Sequence, residues 1–79
     1  MSEVEEKVAD IIVGILEVER EKITPAARFQ EDLDANSLAV VGIVMSAEDA
    51  FDIHIPDETA DILRTVGELI AFIETTQRA

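Results

Sequence analysis

The feature that most constrains the fold is the spacing of the first apolar residues: Val4, Val8, Ile11, Ile12, Ile15 and Val18 fall three, four or one apart. That period lays an apolar stripe along one side of a helix, and a strand cannot present it. The spacing predicts a first helix over residues 2–18, opened by a capping box of Ser2 and Glu5. The sequence has 79 residues and no cysteine, so a disulfide framework and a cysteine zinc site are excluded and apolar packing must hold the fold. A domain of this size buries only about 60% of its unfolded surface, which leaves little room for an enclosed catalytic cleft.

Residues 19–36 sustain no period. Thr24-Pro25 has the form of a cap followed by proline at a first helical position, enough for one short turn. Ile23 and Phe29 should pin this connection to the rest, and a loop this long in so small a domain is often functional. A second helix is expected from Asn36 or Ser37 to about Phe51, with Asn36 as a favourable cap. Asp52–Pro56 reads as an extended link, because the residue before a proline is pushed out of the helical region. Asp57–Leu63 suits a brief third helix. Thr65 and Glu68 form a capping box for a last helix through Gln77, turning Val66, Leu69, Ile70 and Ile73 inward. The expected fold class is all-α: one domain over 1–79, a small four-helix bundle of three longer helices and one short one, with a long loop between helices one and two.

Charge narrows the partners. Eighteen acidic residues against six basic ones give a formal charge of −12, which repels nucleic acid and anionic membranes and attracts basic protein surfaces. From Phe29 through Leu63 there are nine acidic residues and no lysine or arginine. No apolar run, Ile11–Leu16 among them, is long enough to span a bilayer. With no signal-like segment ahead of the first helix, a soluble, cytoplasmic monomer is expected.

The second helix carries one apolar stripe more than a surface helix needs. Val40, Ile43, Val44, Ala47 and Phe51 suffice for packing against the first and last helices. Leu38, Val41 and Met45 form another stripe, which is either also buried or left as a docking patch. Glu48 and Asp49 follow directly and place charge beside it.

At the start of that helix stands Ser37, in Asp32-Leu33-Asp34-Ala35-Asn36-Ser37-Leu38. Serine in a first helical turn is commonly a cap, but Asn36 is available for that task, and a hydroxyl at a helix N-terminus sits in a field that favours phosphate. With Val44-Met45, Glu48-Asp49, Phe51-Asp52-Ile53 and Ile55-Pro56-Asp57-Glu58, this stretch closely resembles the acyl carrier proteins. The resemblance covers nearly the whole chain and is strongest from Phe29 to Thr65. It implies that Ser37, flanked by Asn36 and Leu38, carries a 4'-phosphopantetheine arm transferred from coenzyme A by a holo-carrier synthase. The arm would hold acyl groups as thioesters for enzymes of fatty acid, polyketide or related biosynthesis. It further implies docking on basic patches of acyl-transferring and condensing enzymes through Asp32, Asp34, Leu38, Val41, Met45, Glu48, Asp49, Asp57 and Glu58. The chain itself would not be an enzyme, since no nucleophile, base and oxyanion set can be assembled from it. The alternative is an unmodified, carrier-like acidic interaction module that docks through the second helix.

Two other patterns carry less. Asp32, Asp34 and Asn36 match the first ligand positions of a calcium-binding loop, but Ser37 stands where glycine makes the turn and Ile43 where a bidentate glutamate is required. No metal site is expected. His54 is the single histidine, an exposed residue on a link. Within the resemblance, Asp34 stands where glycine is usual, Asn36 where aspartate is usual, and Ala39 and Gly42 where acids are usual, which suits a carrier with dedicated partner enzymes. Ala47 and Ala50 are small where larger residues are common. The space beneath them either shelters an acyl chain or is filled by Ile12, Phe51 or Phe72.

Overall fold

A computed structural model describes residues 3–78. Four α-helices follow one another: α1 Glu3–Leu16, α2 Ser37–Phe51, α3 Asp57–Ile62 and α4 Val66–Arg78. No strand is formed among the described residues, and no helix is long and apolar enough to cross a membrane. The all-α bundle with three longer helices, one short helix and a long first connection is the architecture read from the periodicity.

The core is assembled from one stripe of each long helix. Val8 and Ile12 of α1, Ile43 and Ala47 of α2, and Val66, Leu69 and Ile73 of α4 are essentially without exposed surface. The long connection adds Ala27, Phe29, Leu33 and Ala35, and the link before α3 adds Ile55. Phe29 is therefore the pin that the sequence indicated, while Ile23 is only half-buried. Apolar burial from the connection supplies what three helices of this length lack.

Three boundaries differ from expectation. α1 ends at Leu16, two residues early, because Glu17 adopts a left-handed conformation (φ 56°) and its N–H returns to the Val13 carbonyl at 2.9 Å. Val18 thus packs half-buried from outside the helix, and Ile15 lies partly exposed over Gly42. The expected Ser2 cap lies outside the described residues. Thr24-Pro25 makes a simple turn, closed by the Ala27 N–H on the Thr24 carbonyl at 3.0 Å, and the helical turn falls earlier as a 3-10 segment, Arg20–Lys22. Arg20 ties that segment to α1 through Glu6 and Asp10 at 3.2 and 2.6 Å. α3 stops at Ile62, one residue short, with Leu63 as its C-cap.

The connection is sewn to the start of α4. Phe29 N–H donates to the Arg64 carbonyl, Val66 N–H to Ala27 and Gly67 N–H to Pro25, at 3.0, 3.0 and 2.9 Å. The approach at Gly67 is so close that a Cβ there would lie 2.8 Å from the Pro25 carbonyl oxygen. Gly67→Ala should destabilise the protein by roughly 1–3 kcal/mol, since backbone must shift to admit the methyl. At Gly42, by contrast, a Cβ would meet only Ile15 Cδ1 at 3.9 Å, ordinary contact. Gly42→Ala should stabilise by about 1 kcal/mol through helix propensity. Urea unfolding of both variants checks the opposite signs.

The α4 capping box is present. Thr65 Oγ1 accepts from the Glu68 N–H at 3.1 Å, and Glu68 Oε1 accepts from the Arg64 and Thr65 amides at 2.8 and 3.0 Å. Those amide bonds, Arg64's first, hold the Glu68 carboxyl below its ordinary value of 4.5. A depressed folded value means that the ionised form stabilises the fold above the ordinary value and that this contribution fades as pH falls through the folded one. The stability difference between the native chain and Glu68→Gln should therefore be largest near neutrality and shrink below about pH 4.5. Thermal melts of the pair across that range measure it.

Candidate carrier site at the mouth of the second helix

The chain enters α2 by alternation. Leu33 and Ala35 point inward with 3% and 4% exposure, while Asp34, Asn36 and Ser37 face solvent. Ala35 N–H is anchored on the Phe29 carbonyl at 2.9 Å. Asp34 is left-handed, φ 57°. That conformation favours glycine and is tolerated by aspartate, which accounts for the usual glycine at this place.

Asn36 is the N-cap: its backbone is extended and its Oδ1 accepts the Ala39 N–H at 2.8 Å. Ser37 is the first helical residue, and its hydroxyl makes no hydrogen bond among the described residues. The amides of Ser37 and Leu38 are likewise without a hydrogen-bond partner there. Together they form an exposed hydroxyl beside two free donors at the positive end of a 15-residue helix. An anionic phosphate ester fits that chemistry.

The two stripes of α2 separate cleanly. Ile43, Val44 and Ala47 are buried, Val40 and Phe51 half-buried, whereas Leu38, Val41 and Met45 are 79%, 50% and 61% exposed. The helix is not buried all round. α3 adds Ile62, 66% exposed. The sequence reading missed it, although Ile62 and Leu63 are adjacent apolar residues at the end of a helix too short to bury both.

The acids divide into two groups. Asp34, Asp49, Asp57 and Glu58 are exposed, with no hydrogen bond or ion pair among the described residues. Asp32 and Glu48 are instead engaged within the chain. Asp32 Oδ2 accepts from Arg28 Nε at 3.0 Å and from the Arg28 amide at 2.8 Å, and Oδ1 accepts from Nη2 at 3.2 Å. The side-chain hydrogen bonds from Arg28, reinforced by its amide, hold the Asp32 carboxyl below the usual aspartate value. Glu48 Oε2 accepts the Ile55 N–H at 2.8 Å and lies 3.3 Å from His54 Nδ1. Neither carboxylate projects freely toward a partner. Arg28, one residue outside the segment that lacks cations, also reaches Glu31 at 2.6 Å and so offsets part of its charge.

A cleft of about 440 Å³ runs beside the site, bordered by Ser37, Val40, Val41, Val44 and Met45 of α2 and by Ile55, Ala60 and Leu63 across from them. Its size lies in the range of small-molecule sites. Of the two alternatives for Ala47 and Ala50, the structure favours the filled one: Ala47 is fully packed in the core, Ala50 faces solvent, and neither borders the cleft. No group of acidic or histidine side chains among the described residues is arranged to hold a metal ion. In the calcium-like stretch, Asp32 faces Arg28 and Asn36 caps α2. His54 is solvent-exposed.

A family model described as a phosphopantetheine attachment site matches residues 6–73. An acyl carrier protein from Akkermansia muciniphila is 50% identical over 74 residues, covering 94% of this chain and 92% of its own length. The solved structure of the acyl carrier protein from Enterococcus faecalis superposes with a TM-score of 0.81 at 35% identity, over 94% of each chain. The chain belongs to the acyl carrier protein family, whose members carry acyl groups on a covalently attached phosphopantetheine group.

Proposed function

We propose that Ser37 is the attachment residue and that the chain acts as a freestanding, monomeric, cytoplasmic carrier. The observation that carries this is the division of labour at the mouth of α2: Asn36 caps the helix, leaving the Ser37 hydroxyl exposed and, among the described residues, unbonded beside two amides without a partner. A phosphopantetheinyl transferase would use coenzyme A as donor. Ser37 Oγ gives up its proton to a base on the transferase and attacks the pantetheine-side phosphorus of coenzyme A; the diphosphate P–O bond breaks, adenosine 3',5'-bisphosphate leaves, and Oγ becomes an ester oxygen of the new phosphodiester. When attached, the arm supplies a terminal thiol that holds acyl groups as thioesters. The free amides favour the phosphodiester charge without contacting the cargo.

The exposed stripe of Leu38, Val41 and Met45, with Asp34, Asp49, Asp57 and Glu58 around it, supports docking on basic patches of the transferase and of acyl-transferring and condensing enzymes. Apolar anchors supply affinity, and the acids supply steering that weakens as salt rises. The cleft between α2 and α3 is suited to receive the apolar part of a cargo tethered at its rim.

The test is a mass spectrum after incubation with coenzyme A and a broad-specificity transferase. A single phosphopantetheine addition, mapped to the peptide containing Ser37, is the expected result. An unaltered mass, with a second carrier loaded in parallel, would favour an unmodified docking module instead.

A further inference from the structure

We propose that Glu48 is a positioning residue: its carboxylate is a strap from α2 to the start of α3 that sets the width of the cleft beside Ser37. The functional half of this inference rests on the carrier reading above. The bonds around Glu48 converge on one reversal of the chain. Its backbone carbonyl accepts from the Asp52 amide and, at 3.1 Å, from the Ile53 amide, while its side chain reaches ahead to the Ile55 amide at 2.8 Å. Asp52 turns the chain through a left-handed conformation, φ 52°. Pro56 has no N–H, so the Ile55 amide is the last donor before α3 begins at Asp57.

Ile55 is 3% exposed and forms part of the cleft wall. An amide left unpaired at such a site would carry a desolvation penalty, and no backbone carbonyl among the described residues serves it. The Glu48 carboxylate, 27% exposed, is the acceptor that lets Ile55 stay there. Glu48 borders the same cleft, so one side chain touches both its α2 wall and the strand of chain that aims α3. What this position needs is an acceptor oxygen. Its neighbour Asp49, exposed and without a partner among the described residues, offers charge alone.

Three variants separate acceptor from charge. Glu48→Ala removes both, Glu48→Gln keeps an acceptor oxygen, and Asp49→Asn removes the same charge next door. In the unloaded protein, amide hydrogen exchange at Ile55 should accelerate about tenfold or more in Glu48→Ala and change less than about threefold in the other two. In the native chain, NMR should detect a scalar coupling across the hydrogen bond from the Ile55 nitrogen to Glu48 Cδ, which needs no variant to fold. Loaded with a hexanoyl thioester, Glu48→Ala should hydrolyse about threefold faster than the native protein, with Glu48→Gln close to native. Absence of the coupling, or equal acceleration in Glu48→Gln and Glu48→Ala, overturns the strap. Unchanged hydrolysis alongside accelerated Ile55 exchange overturns its role at the cleft. Because exchange and coupling are read on the unloaded chain, failure of Ser37 to accept the arm is distinguished from failure of the strap.

Discussion

Ser37→Ala is expected to remain at its unmodified mass under conditions that load the native chain completely, while its helicity and urea midpoint barely move. The hydroxyl is exposed and makes no hydrogen bond among the described residues, and an exposed substitution of this kind changes stability by no more than about 0.5 kcal/mol. Asn36→Ala should behave in the opposite way. It removes the bond to the Ala39 amide, should lower stability by about 1 kcal/mol, and leaves the serine available for loading. A carrier in which Ser37→Ala still gains the arm would have its attachment elsewhere. Mass spectrometry and urea melts on the same two samples give both answers.

Ile43→Ala should have the largest effect on folding. Ile43 has no exposed surface and stands at the meeting of the α2 stripe with the core. Truncations of this kind lose about 2–5 kcal/mol, and a domain of this size has only a few kcal/mol in all. Circular dichroism should find the variant largely unfolded at a temperature where the native chain is intact. Met45→Ala, also an apolar truncation on α2 but 61% exposed, should shift stability by no more than about 0.5 kcal/mol. It should instead raise the Michaelis constant of a docked enzyme. The contrast tests whether the two stripes divide between folding and recognition.

Sequence carried the helices because their signals are local. The period of Val8 and Ile12, the Asn36 cap and the Thr65 and Glu68 box each involve residues within one or two turns, and each appears where its spacing places it. The long connection was opaque because its order is set at a distance. Leu33 and Ala35 are buried by alternation through a segment with no regular structure, and Ala27 is held by Val66, 39 positions away. At the site, spacing marked Leu38, Val41 and Met45 as a second stripe but left open whether it was buried, which the structure answers with exposure, and Ser37 was singled out chiefly by the resemblance. The fates of Asp32 and Glu48 were not, since composition records their charge but not the Arg28 fork or the Ile55 amide that engages it.

The seam between residues 25–29 and 64–67 lets a distant part of the chain govern the approach to α2. The connection that leads to Ser37 is held from one side by backbone at the start of α4, so deleting residues 64–78 removes the partners of Pro25, Ala27 and Phe29 together. Such a truncation, far from position 37, is expected to disturb the mouth of α2 as surely as a change next door.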